Sequence, residues 1–225
     1  MADRESALIV GAGHGLSASL ARLFAAEGMD VALAARKTEK LGPLAEEIDA
    51  GVYGCDASKP GDVERLFTDV TSDRGEPDIV VYNPSARARG PFIELDPAKV
   101  EWTLAVTCYG GFLVGQAAAR QMVARGGGSI LFTGASASVK GYAQSAPFAM
   151  GKFGLRGLAQ SMARELAPKG VHVAHFVIDG GIGQDPDGDA QLDPDAIART
   201  YLDIHRQHRS AWTWEVELRP WVESF

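Results

Sequence analysis

Short continuous apolar runs alternate with stretches whose apolar residues recur every three to four positions, and the alternation persists through most of the chain. The run at 7–10 stops at a glycine cluster, as expected for a strand buried on both faces. Leu16, Leu20, Leu23 and Phe24 then share one helical face, with Gly28 at the stop. A second strand is predicted at 31–35, and Leu41, Leu44, Ala45 and Ile48 mark a second helix closed by Gly51. The cycle repeats with a strand at 52–55, a helix carrying Val63, Leu66, Phe67 and Val70, and a strand at 79–82. Asp96-Pro97 supplies a cap and a first-turn proline for one long helix. A fifth strand at 129–133, a helix at 147–167 and a sixth strand at 171–178 follow.

Strand–helix alternation at this spacing predicts βαβ crossovers, hence an α/β fold: a Rossmann-like, doubly wound parallel sheet of about seven strands with helices on both faces. No linker or repeat divides the chain, so 1–225 reads as one domain. The tail differs. Asp193-Pro194 starts a last helix reaching about His208, so 183–210 reads as a short lid or connector plus a helix. Trp212, Trp214, Val216 and Leu218 alternate with polar residues, which predicts a half-buried final strand within 211–225.

Composition narrows the function classes. With 29 acidic and 22 basic residues the net charge is −7, which argues against a nucleic-acid or anionic-membrane footprint. Cys55 and Cys108 are too few for a disulfide framework or zinc cluster, and read as small packed residues. Without a signal peptide or a long apolar run, the expected location is the cytoplasm. The 26 glycines in 225 residues exceed the usual ~7%, which directs attention to the turns.

The first strand runs through Gly11, Ala12, Gly13, His14 and Gly15 into a helix that opens at Leu16. Glycines there allow close backbone approach, and the helix start offers free N–H groups and the positive end of its dipole. A diphosphate fits that arrangement, so the turn predicts dinucleotide binding. Where an acid would hold a ribose 2′-hydroxyl, after the second strand, this chain has Ala35 and then Arg36 and Lys37. The missing acid and the gained bases point to NADP (NADPH), with NAD the less favoured alternative.

With these residues in place the chain resembles the short-chain dehydrogenase/reductase family over about residues 6–182, and more loosely in the tail. The family's Thr-Gly-x-x-x-Gly-x-Gly cradle is matched by Val10, Gly11, Gly15 and Ser17, the serine hydroxyl being placed to reach a phosphate. The resemblance implies that Asp56, followed by Ala57, either contacts the adenine edge or caps the next helix. It also implies that Asn83, followed by Pro84 and Ser85, shapes the floor of the adenosine site, and that Ile182 contacts the carboxamide through its backbone. Asp179 stands in place of a proline before that turn and is expected to loosen it.

The family's chemistry uses an asparagine, a serine and a Tyr-x-x-x-Lys pair. Lys152 matches the lysine, but Phe148 occupies the tyrosine position and Ala135 the serine position. A slip of one residue selects Ser136 instead. Thr107 stands where the asparagine belongs, and Tyr142 is another hydroxyl bordering the expected cleft. The resemblance thus implies an oxidoreductase with cofactor binding retained and proton transfer lost or relocated; the alternative is a non-catalytic NADP(H)-binding sensor or assembly subunit. Arg87 and Arg89 either bind an anionic substrate or are simply solvated. The substrate is an unidentified small molecule, and family members usually form homodimers or homotetramers, here through the helices at 97–125 and 147–168. Asp185 to Asp189 lacks the spacing of a calcium loop, and His172 and His175 point to opposite faces of a strand, so no metal site is expected.

Overall fold

The computed structural model describes residues 4–184 and 190–223. The acidic stretch read as a failed calcium loop, and with it part of the suggested lid, lies outside the described residues.

Seven strands form one all-parallel sheet: β1 (Ser6–Val10), β2 (Asp30–Ala35), β3 (Gly51–Gly54), β4 (Ile79–Tyr82), β5 (Gly128–Thr133), β6 (Val171–Ile178) and β7 (Glu215–Leu218), in the order β3-β2-β1-β4-β5-β6-β7. The fold class is therefore as the sequence implies. Helices α1 (Leu16–Ala26), α2 (Gly42–Ile48) and α7 (Pro194–His205) cover one face. On the other lie α3 (Pro60–Arg74), α5 (Gly110–Arg125) and α6 (Ala146–Leu166). Alternation within β1 shows why both faces need cover: Ala7 and Ile9 enter the first apolar layer, Leu8 and Val10 the second. The strand order reverses between β1 and β4, and the gap at their carboxyl ends is where such sheets open a crevice.

Four boundaries differ from the sequence reading. Gly51 does not stop α2; it opens β3 and pairs with Ala32, while the left-handed stop is Asp49 at φ 55°. The long helix is interrupted: α4 (Pro97–Leu104) passes through a π turn at Ala105–Tyr109 before α5. There the Val106 carbonyl accepts the Tyr82 hydroxyl, and a Cβ on Gly110 would collide with that hydroxyl and with the Ala57 carbonyl. The π turn thus coincides with the closest approach of this helix to β4. The last helix ends at His205 rather than His208. The final strand is only four residues long, because Trp212 and Trp214 are spent before it. Trp212 stacks on His172 with centroids 4.7 Å apart, and Trp214 lies under Arg156 at 5.7 Å.

Among the described residues no helix is long and apolar enough to cross a membrane.

Candidate active site

The crevice has two lobes. An outer lobe of about 760 Å³ lies over the ends of β1, β2 and β3, between Gly11, Arg36, Asp56 and Val106. An inner lobe of about 790 Å³ lies over β5 and β6, between Thr133, Phe148, Lys152 and Ile178. Asn83 and Ser85 line both.

The outer lobe starts at the glycine turn. Gly11 adopts φ 85°, and a Cβ there would strike the Pro84 ring, so glycine is required by both conformation and contact. Gly13 and Gly15 face open space, and Gly15 starts α1 without a side-chain cap. The first-turn N–H groups are therefore unclaimed by a cap at a place where a side chain would intrude on a ligand, which fits a diphosphate. His14 is exposed beside them and Leu16 is buried under the turn.

Ser17 corrects one expectation. Its hydroxyl faces inward, donating to the Gly11 carbonyl at 3.1 Å and accepting from Asn83 Nδ2 at 2.7 Å. It braces the turn instead of reaching a phosphate. The same contact explains Asn83: its side chain ties β4 to α1, and its backbone N–H donates to the Val10 carbonyl. Asp56 borders the lobe, and its Oδ1 accepts from both the backbone and the hydroxyl of Ser58, which is a local capping turn. Ala57 is buried on the same wall. At the end of β2 Arg36 and Lys37 are exposed toward the lobe, and the Arg36 guanidinium lies 5.5 Å from the Trp102 ring centroid.

The inner lobe centres on Lys152. Its side chain is fully buried, and Nζ donates to the Thr133 carbonyl at 2.7 Å. Burial, and secondarily the charge of Arg87, push the ammonium down to about 7. Phe148, one turn earlier on α6, presents its ring to two cations: Arg87 Cζ is 4.4 Å from the centroid and Lys152 Nζ 5.9 Å. Ala135 and Ser136 line the same lobe, and the Ser136 hydroxyl is engaged with Asp179. Tyr142 and Ile182 are each about half exposed and line the lobe.

Thr107 is not brought to either lobe. It is completely buried, accepts the Ala86 N–H at 3.2 Å, and packs where Gly151 leaves room on α6. Its role is to hold the loop after β4.

Asp179 is the second correction. It tightens its turn: the N–H donates to Leu218, while the carboxylate accepts from Lys140 at 3.1 Å and Arg219 at 2.6 Å. Burial pushes its carboxyl upward, but Ser136, Lys140 and Arg219 outweigh that and hold it below the usual range.

Residues 5–183 match the family described as short chain dehydrogenase. The chain belongs to the short-chain dehydrogenase/reductase family. It is 32% identical over 178 residues to a short-chain dehydrogenase/reductase of Armillaria gallica, covering 76% of this chain and 68% of that protein. To the 3-oxoacyl-[acyl-carrier-protein] reductase MabA of Mycobacterium bovis it is 31% identical over 182 residues, covering 80% and 70%. Its fold superposes with a TM-score of 0.87 on a short-chain dehydrogenase from Rhodopseudomonas palustris at 36% identity, covering 96% of this chain and 99% of that one. A metagenomic short-chain oxidoreductase solved in complex with NADP aligns at a TM-score of 0.86 and 28% identity, covering 97% and 98%.

Within this family member, sequence reasoning missed the bracing pairs Ser17–Asn83 and Asp179–Arg219, because each joins residues far apart in the chain. The adjacent glycines 110 and 111 were a usable signal for close helix–strand approach.

Proposed function

We propose that this chain is an NADP(H)-preferring oxidoreductase of short-chain dehydrogenase/reductase type whose proton route departs from the family's usual serine and tyrosine. The carrying observation is the continuity of the crevice: Asn83 and Ser85 line both lobes, so one ligand can extend from the glycine turn to Lys152. Arg36 and Lys37 with neutral Ala35 favour a 2′-phosphate, and NAD is the weaker candidate. The NADP bound by a related metagenomic enzyme supports the same choice.

When bound, the cofactor supplies a hydride. The N–H groups at the start of α1 would hold its diphosphate, Arg36 its 2′-phosphate, and Lys152 its ribose hydroxyls. Ile182 would contribute through its backbone. Phe148 can neither give nor take a proton, and the absence of a positioned acid typically costs ~10²–10⁴-fold. The proton then comes from Lys152, which burial holds near neutrality, or from Tyr142 or Ser136 at the lobe. Otherwise the substrate needs none, as with an already protonated iminium.

One observation favours a non-catalytic sensor or assembly subunit instead: the hydroxyls of Thr107 and Ser136 are already engaged by Ala86 and Asp179. Self-association belongs to either reading, across the exposed apolar side chains of Tyr109 and Phe112 on one helical stretch and Met150 and Phe153 on α6. Calorimetric titration should show NADPH binding roughly tenfold or more tighter than NADH, with Arg36→Ala levelling the two. Turnover is then sought on a panel of carbonyls and imines. Binding without any turnover would select the sensor reading, and failure to bind either cofactor would overturn both.

A further inference from the structure

The inner lobe has an uneven charge. Arg87, Arg89 and Lys152 line it, and among the described lining residues there is no aspartate or glutamate. This occurs in a chain whose net charge is −7, where Arg22, Arg74, Arg125, Arg156 and Arg206 each meet a carboxylate. Neither Arg87 nor Arg89 does so among the described residues, a state they share with other exposed arginines such as Arg36 and Arg120; what sets them apart is that they line the lobe.

Their loop is also held. Upstream, the Ala86 N–H is fixed by the buried Thr107 hydroxyl at 3.2 Å; downstream, the Gly90 N–H donates to the Gln144 carbonyl at 3.1 Å. Between these anchors the Arg87 guanidinium lies over the Phe148 ring, 4.4 Å from its centroid. A merely solvated arginine has no such contact. Burial and the neighbouring Arg89 both disfavour the charge on Arg87, a cost that a bound anion would relieve.

We propose that the inner lobe takes a small organic carboxylate, its carboxylate seated on the Arg87 guanidinium with Arg89 at the mouth. A planar fork pairs with a carboxylate through two parallel hydrogen bonds. Lys152 lies deeper, hydrogen-bonded to Thr133, and adds a third basic group to the same lobe. The inference deepens the substrate side of the oxidoreductase reading, but it is tested by binding alone.

Pyruvate and phenylpyruvate, with their primary amides as uncharged counterparts, are titrated calorimetrically into the full chain with and without saturating NADPH. The acids should bind and the amides should be roughly tenfold or more weaker. Arg87→Met should lower the affinity for the acids by roughly 10- to 100-fold and leave NADPH affinity within about twofold, while Arg87→Lys recovers part of it. In the unaltered chain, a roughly tenfold rise in ionic strength should weaken the acids and spare the amides, a result independent of any variant's folding.

Equal affinity of acids and amides, or an unchanged affinity in Arg87→Met, would overturn the proposal. Displacement of the acids by NADPH would also overturn it, by assigning Arg87 to the cofactor. A chain that binds the acids but no NADPH would instead defeat the dinucleotide reading and leave the carboxylate site standing.

Discussion

The His175 imidazole joins the Ser138 hydroxyl, 3.3 Å from Nε2, to the Glu215 carboxylate, 3.1 Å from Nδ1. With Nδ1 donating to Glu215, Nε2 accepts from Ser138, and the Ser138 oxygen in turn accepts the Ala135 N–H. Glu215 is gripped from the other side by both Arg156 nitrogens, at 2.6 and 2.7 Å. The edge strand β7 is thereby linked to the turn that carries Ala135 and Ser136. Ser138 and His175 are fully buried, so this row of side chains serves to position the turn and does not face substrate.

Acid sensitivity follows from that burial. Burial pushes His175 down to about 4, against the partly opposing pull of Glu215, whereas the unfolded chain titrates near 6.5. Between these values the unfolded state binds the extra proton, so stability is complete above about pH 6.5 and falls as the pH drops toward 4. The loss from this group is on the order of 3 kcal/mol. Denaturant melts from pH 7 to 5 should show the slope, and His175→Gln should flatten part of it. An unchanged slope would place the sensitivity on other groups, among them His172, which burial also lowers.

Lys152 extends the same trend to the alkaline side. Its amine titrates near 7 in the folded chain and near 10.5 when unfolded, so the folded state holds fewer protons between those values. Stability should therefore rise with pH across that window. Lys152→Met should abolish the rise and be more stable than the parent at pH 6 in the absence of ligand. A variant no more stable at pH 6 would mean that the ammonium is better compensated than its burial implies.

Phe148 and Ala135 test the reading of the reaction site. Phe148→Tyr combined with Ala135→Ser should create or raise NADPH-dependent carbonyl reduction, by as much as ~10²–10⁴-fold where a positioned acid was the missing part. Initial rates on an aldehyde and ketone panel measure it. No gain, with folding and cofactor binding intact, would show that more than these two groups separates this site from the family pattern.

Asp179 should matter more to the fold than an ordinary turn residue. Asp179→Asn removes the charge that Lys140 and Arg219 share and should cost on the order of 2 kcal/mol, discounted because Lys140 is partly exposed. Asp179→Pro additionally deletes the N–H that bonds Leu218 and should melt lower still. If both variants melt with the parent, the tie between β6 and the tail contributes nothing to stability.

Much of this was written locally. The order of strands and helices, the glycine turn and the register of Phe148 and Lys152 on one helix depend on residues within a turn or two of each other. Apolar periodicity, caps and glycine register them directly, and so the all-parallel fold and the crevice's two ends were legible. The end of α2 was misplaced even so, because Asp49 adopts the left-handed conformation for which Gly51 was the sequence candidate. Only the folded chain decided what the polar side chains do. Ser17 turns inward because Asn83, from another strand, waits 2.7 Å away. Asp179 stiffens its turn because Lys140 and Arg219 arrive from separate segments. Arg87 becomes part of the inner lobe because the Phe148 ring is brought beneath it. A buried polar group takes whatever partner the packing delivers, and that partner leaves no periodic mark on the sequence around it.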